Sequence, residues 1–131
     1  MNAERPQRTG RTRTDQGSTG IGDAKERLAE DYLRRHKLHP VARNHRCRHG
    51  EIDLVMRDGE TLVFVEVRYR RSDRYGTPAE TVNPRKQRRL AAAASHYLQR
   101  HPNMLPCRFD VVAVGAEDRI DWIKNAFLVE I

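Results

Sequence analysis

Between Gly50 and Arg70 the chain reads GEIDLVMRDGETLVFVEVRYR, with apolar and charged residues alternating at the two-residue period of a strand. Asp58-Gly59 interrupts this as a two-residue turn, a pair favoured where both central positions need positive φ. The stretch predicts a β-hairpin in which Arg57 opposes Glu60, Val55 opposes Leu62, Asp53 opposes Phe64 and Glu51 opposes Glu66. Alternate residues point to opposite faces. Ile52, Leu54, Met56, Val63, Val65 and Val67 then share an aliphatic core face. Glu51, Asp53, Phe64, Glu66 and Arg68 share the other, with Asp53 and Glu66 set diagonally at about 7–8 Å.

Upstream, the apolar period changes to that of a helix. From Asp23 onward, Ala24, Leu28, Ala29, Tyr32 and Leu33 form one stripe while Arg27, Glu30, Asp31 and Arg34 face outward. Asp23 reads as the N-cap, and Glu26, near the stripe edge, reads equally as a capping acid or as an inward-pointing one. Pro40 ends the helix, and Val41 to Arg48 approaches the hairpin as an extended edge segment. Residues 69–81 read as a polar loop. Asn83-Pro84 opens a second helix, as N-cap and first helical residue, with Leu90, Ala94, Tyr97 and Leu98 buried and Lys86 and Gln87 turned inward. Arg108 to Val114 and Ile120 to Ile123 read as strands, and Asn125 to Ile131 stays ambiguous. This order predicts one α/β domain over residues 21–131, a mixed β-sheet flanked by helices in the order helix, strands, helix, strand.

Residues 1–20 hold almost no large apolar side chain and read as a disordered basic tail. The chain has 131 residues and a net charge of +7, a balance that suits polyanions or solubility alone. No apolar run approaches the ~20 residues of a membrane span and no signal segment is visible, so a cytoplasmic protein away from membranes is expected. Cys47 and Cys107 do not make a disulfide framework.

Carboxylates gathered on one strand face repel unless something positive compensates them. Oxygen ligands suit Mg²⁺ or Mn²⁺, which polarise a phosphoryl oxygen and lower the pKa of an attacking water. Asp53 and Glu66 are the principal metal candidates, with Glu26 and Glu51 beside them. Arg68 and Lys86 are candidates to contact a scissile phosphate. Arg46, Arg48, Arg70, Arg71, Arg74, Arg85 and Arg89 are candidates to bind nucleic-acid backbone, DNA foremost. The same residues also read as a structural network in which Arg68 neutralises Glu51 and Glu66. His45, Cys47 and His49 alternate and could share a face toward zinc, an isolated pattern of low specificity.

Asp53 followed by Glu66-Val67-Arg68 resembles the metal-binding signature of the PD-(D/E)xK, or restriction-endonuclease-like, nucleases. More narrowly, Gly22, Glu26, Ala29 and Tyr32-Leu33, then GEIDLV, LVFVEVRYR, Lys86, Arg89, RFDVV and the final NAF look like the YraN family of small bacterial proteins. The resemblance covers nearly everything after the N-terminal tail. It implies a restriction-endonuclease-like core similar to archaeal Holliday-junction resolvases, a metal-dependent endonuclease acting on branched or junction DNA, and by analogy a homodimer. Glu26 would complete the metal site, Asp53 and Glu66 would be the main ligands, and Arg68 stands where the signature has lysine. Arginine stays protonated and cannot act as a base. Lys86 would supply the ammonium instead, or the scaffold would bind nucleic acid without cleaving it. Ile52 occupies the signature's proline position, a departure of little consequence.

Overall fold

The computed structural model describes residues 16–70 and 82–129, with side chains from residue 22. Helix α1 (Gln16–Arg35) is followed by strands β1 (His39–Cys47), β2 (Gly50–Asp58) and β3 (Thr61–Tyr69). Helix α2 (Pro84–Arg100) then leads to β4 (Cys107–Val114) and β5 (Ile120–Phe127). The five strands form one sheet in chain order, antiparallel except for the parallel β3–β4 pair that α2 bridges. This is the mixed α/β architecture expected, with one helix on each face.

Alternation explains how both faces are filled. Leu54, Met56, Val63, Val65, Val112 and Val114 pack with Ala29 and Leu33 of α1. Val55, Leu62, Phe64, Phe109 and Val111 pack with Leu90, Ala93, Ala94 and Tyr97 of α2. Phe64, expected on the polar face, lies against Tyr97 and Phe109, ring centroids 5.9 and 5.5 Å away. The second face is therefore core beneath α2 and becomes polar only at its upper end.

Four local expectations are corrected. The hairpin loop is Gly59-Glu60, because Asp58 pairs with Thr61, Arg57 with Leu62, and Val55 with Phe64. Only Gly59 of that loop has positive φ, 61°, while Asp58 stays in the strand with its carboxylate 3.0 Å from Arg108 Nη1. A two-residue shift keeps the faces but brings Asp53 level with Glu66. Secondly, Ile52 packs on the α2 side, away from Leu54, because the alternation reverses at Asp53. Thirdly, α1 begins at Gln16, so Asp23 lies within the helix and caps nothing; residues 1–15 of the expected tail fall outside the described residues. Finally, β5 continues to Phe127, through the stretch whose reading stayed ambiguous. Helix α2 starts as expected: the Asn83 side chain accepts the Lys86 N–H and Pro84 opens the first turn. Among the described residues, no helix is long and apolar enough to cross a membrane.

Candidate functional site

The β2–β3 ladder ends at Leu54–Val65. Beyond it, Asp53 Oδ2 accepts the Val67 N–H at 2.8 Å, so a side chain takes the place of a backbone acceptor where the strands part. Here a cleft of about 440 Å³ opens, lined by Asp53, Glu66, Glu51, Lys86, Arg46, Arg48 and Arg89 together with Cys47, Gly50, Val67 and Leu90. One wall is the β1–β2 turn, the other the first two turns of α2. They meet at Gly50, where a Cβ would stand 2.5 Å from the Arg89 carbonyl oxygen. Lys86, Arg89 and Leu90 of α2 line the cleft, whereas Arg85, one turn before Arg89 and exposed, does not.

Glu66 is buried, and its Oε2 lies 3.4 Å from Lys86 Nζ and 3.6 Å from Arg68 Nη1. Glu51, nearer solvent, meets Arg46 Nε at 3.4 Å. Among the described residues, no cation pairs with Asp53. Burial, then the adjacent Glu66 charge, push its carboxyl up from 3.8 to about 8; the Val67 N–H opposes this, and Glu26 and Glu51 add to it. Glu26 on α1 is likewise pushed up by burial to about 7, against a hydrogen bond from Asn44. It lines a smaller adjoining cleft of about 240 Å³ with Asp23, Arg27, Arg43 and Asn44. The acids from α1, β2 and β3 thus sense one another's charge across the junction of two clefts.

The fold therefore brings together Asp53, Glu66, Glu51, Arg68, Lys86, Arg46, Arg48 and Arg89, with Glu26 next door. Arg70, at the end of β3 with its N–H on Val114 O, does not line the cleft. Arg71 and Arg74 lie outside the described residues. Among the described residues, no three His, Cys, Asp or Glu side chains form a ready-made ion site. The zinc pattern does not assemble: His49 is in the turn, and His45 turns to α2, its Nε2 2.9 Å from His96 Nδ1. Burial, with His96 beside it, pushes His45 down to about 4. The donor set at Asp53 and Glu66 nonetheless fits a magnesium-type ion, which keeps several waters and commonly uses only one or two carboxylates plus substrate phosphate.

Two arrangements escaped the sequence reading. Asn44 adopts φ 52° within β1, signalled only by the tolerance of asparagine for left-handed backbone. Asp110, inside the apolar run of β4, is fully buried and receives Arg108 Nε and Nη2 at 2.9 and 3.1 Å, Trp122 Nε1 at 2.9 Å and the Asn125 N–H at 2.9 Å. An aspartate in such a run was the available signal that it must be satisfied internally.

The molecule is thus a small α/β domain with an acid-floored, arginine-walled cleft at the parting of two central strands. Its sequence matches the model of the Uncharacterised protein family UPF0102 over residues 25–114, a span holding every residue of both clefts but Asp23. Similar relatives include the UPF0102 proteins of Nitrosococcus oceani, 51% identical over 83% of this chain and 92% of its own length, and of Nitrosomonas europaea, 48% identical over 81% and 92%. Another, from Cupriavidus pinatubonensis, is 54% identical over 79% of this chain and 85% of its own length. The chain belongs to the UPF0102 family.

Proposed function

We propose that this protein is a cytoplasmic, metal-dependent endonuclease of the restriction-endonuclease-like superfamily, acting on DNA. The observation that carries the reading is Asp53: a carboxyl held at about 8 by burial and neighbouring acids, with no cation paired to it among the described residues, at the floor of a cleft walled by Arg46, Arg48, Lys86 and Arg89. A divalent cation relieves that repulsion, and phosphate oxygens complement the walls. Asp53 and Glu66 would hold Mg²⁺ or Mn²⁺, with Glu26 and Glu51 contributing charge from either side. When bound, such an ion supplies Lewis acidity at a phosphoryl oxygen and a more acidic water.

The remaining roles belong to the chain. Lys86 and Arg68, both beside Glu66, present positive charge where charge develops on a scissile phosphate. Arg68 stays protonated, so it positions and stabilises without taking a proton. The arginines on the β1–β2 turn and α2 hold the backbone on either side.

A second reading has its own support, because Glu66 already meets two cations and the signature lysine is absent. In that reading the protein binds nucleic acid without cleaving it. Titration of Mn²⁺ into wild-type and Asp53→Ala protein, followed by nicking of supercoiled DNA, separates the two. The nuclease reading expects binding and nicking in the wild type, both lost in Asp53→Ala while DNA binding survives. DNA binding with steep salt dependence but no metal-dependent nicking gives the second reading. Absence of both removes both.

A further inference from the structure

We propose that Tyr69 is a stacking platform for an unpaired base beside the acid-floored cleft, so that the DNA this protein takes carries a strand end, gap or branch near the bound phosphate. The inference rests on the DNA reading of the cleft and names the substrate class within it.

Of the tyrosine, tryptophan and phenylalanine rings among the described residues, Tyr69 alone is exposed, at 49%. The others are used inside the fold. Phe64, Tyr97, Phe109 and Phe127 pack ring against ring beneath α2, and Tyr32 and Trp122 meet edge to face beside α1. Tyr69 meets an ammonium instead. Lys25 Nζ lies 4.7 Å from its ring centroid and 3.2 Å from Asp118 Oδ1. The Lys25 side chain is only 19% exposed, held between α1 and the turn before β5. A cation fixed over one face orients the ring before any ligand arrives, which lowers the cost of binding to it.

A single exposed tyrosine needs no explanation in itself; the position of this one does. Tyr69 is the last residue of β3, adjacent to Arg68 and three residues beyond Glu66. At about 3.3 Å per residue, its backbone stands about 10 Å past that of Glu66. Glu66 and Arg68 turn to the cleft, while Val67 turns to the α1-side core. Tyr69 follows Val67 in the alternation, and so its ring finds Lys25 of α1. A strand with one phosphate at Asp53 and Glu66 therefore passes over the end of β3, with Tyr69 in reach of its neighbouring bases. Inside a duplex both faces of a base are covered by the stack, and a protein ring gains access only after the stack is opened. A base at an end, gap or branch offers a free face at little cost. Every base has such a face, so Tyr69 selects for DNA structure and not for sequence.

The test is fluorescence anisotropy in EDTA at one salt concentration, with the full chain and two labelled duplexes. Both carry the same short single-stranded overhang, normal in one and abasic in the other, so their phosphates match and only the bases differ. Wild type should bind the normal overhang about fivefold or more tightly than the abasic one. Tyr69→Phe keeps the ring and should keep that ratio. Tyr69→Leu keeps apolar bulk without an aromatic face and should bring the ratio to about one, its binding of the abasic probe reporting that it is folded. Arg89→Ala removes a charge from the cleft wall and should weaken both probes alike. Equal affinities in the wild type, or a preference that survives Tyr69→Leu, overturn the inference and leave the DNA reading standing. A wild type that binds neither probe removes the DNA reading, and this inference with it.

Discussion

In Asp53→Asn the amide oxygen can still accept the Val67 N–H that the carboxylate now holds at 2.8 Å, while the charge repelled by Glu66, Glu26 and Glu51 is removed. Burial, and then Glu66, raise the Asp53 carboxyl from 3.8 to about 8 in the folded protein. Each tenfold change in proton affinity corresponds to about 1.4 kcal/mol, so the environment of Asp53 costs the fold at most about 4 kcal/mol at pH 7. The new amide must itself find a partner in a buried place, and failing one returns about 1–3 kcal/mol. A net gain of about 1–2 kcal/mol is expected, within the range seen when a functional residue is released from an unfavourable setting.

The folded-state value lies above the unfolded one, so the native state holds the extra proton between them and stability falls as pH rises through that window. The advantage of Asp53→Asn should therefore be absent below about pH 4, grow up to about pH 8, and stay level beyond. Glu26 titrates in both proteins and largely cancels. Urea unfolding in EDTA, followed by fluorescence of the single tryptophan, Trp122, at about pH 4 and pH 8.5, gives the difference directly. Added Mn²⁺ should raise the wild-type midpoint and leave that of the variant unchanged. A variant less stable at both pH values, or a pH-independent difference, would show Asp53 to be a simple strand-end cap for Val67 and would refute the reasoning.

Gly50→Ala should destabilise by about 1–3 kcal/mol in urea, because its Cβ would meet the Arg89 carbonyl, a backbone atom, at 2.5 Å. Asp110→Ala should cost about 3–5 kcal/mol in the same assay, since it leaves the Trp122 and Asn125 N–H groups without their acceptor and Arg108 with Asp58 as its remaining ion partner. Arg89→Ala should weaken DNA binding and lower the magnitude of its salt slope by about 1, read by fluorescence anisotropy across a salt series. If the nuclease reading holds, Arg68→Lys should raise the rate of Mn²⁺-dependent nicking about tenfold or more, by placing a group that can lose its proton beside Glu66.

What the sequence made legible was local. Alternation placed Asp53 and Glu66 on one face, and Asn83-Pro84 marked the start of α2 because both cap interactions lie within four residues. The turn shifted because Asp58 answers to Arg108, a partner from a distant strand that no short-range rule contains. Ile52 changed sides because the alternation of β2 reverses at Asp53, level with the left-handed Asn44 of β1. Helix α1 runs through Gly17, Gly20 and Gly22, each worth about 1 kcal/mol against helix, so composition pointed to a later start. Among the arginines, Arg85 and Arg89 share a side of α2 and differ only in how far along it they stand, and Arg70 depends on where β3 ends against β4.

The buried and half-buried acids of this sheet and its α1 face are kept in two different conditions, and that contrast is the physical ground for reading one group as functional. Asp110 is met by a bidentate arginine, an indole and a backbone N–H. Glu30, expected to face outward, is buried and met by Nε and Nη2 of Arg43, which hold its carboxyl below the usual range. The fold is thus able to neutralise a buried carboxylate completely, and does so twice. At Asp53 it supplies one backbone N–H and surrounds the group with further acids, although cations stand within the same cleft. Of these, Lys86 goes to Glu66 and Arg46 to Glu51. A sequence selected for stability alone would place Asn or Thr at position 53, keeping the strand-end bond without the charge. A carboxyl that keeps its proton up to about pH 8 is accounted for if a cation from solution takes the proton's place, which is why the stability gain of Asp53→Asn and the loss of its Mn²⁺ response should appear together in one titration.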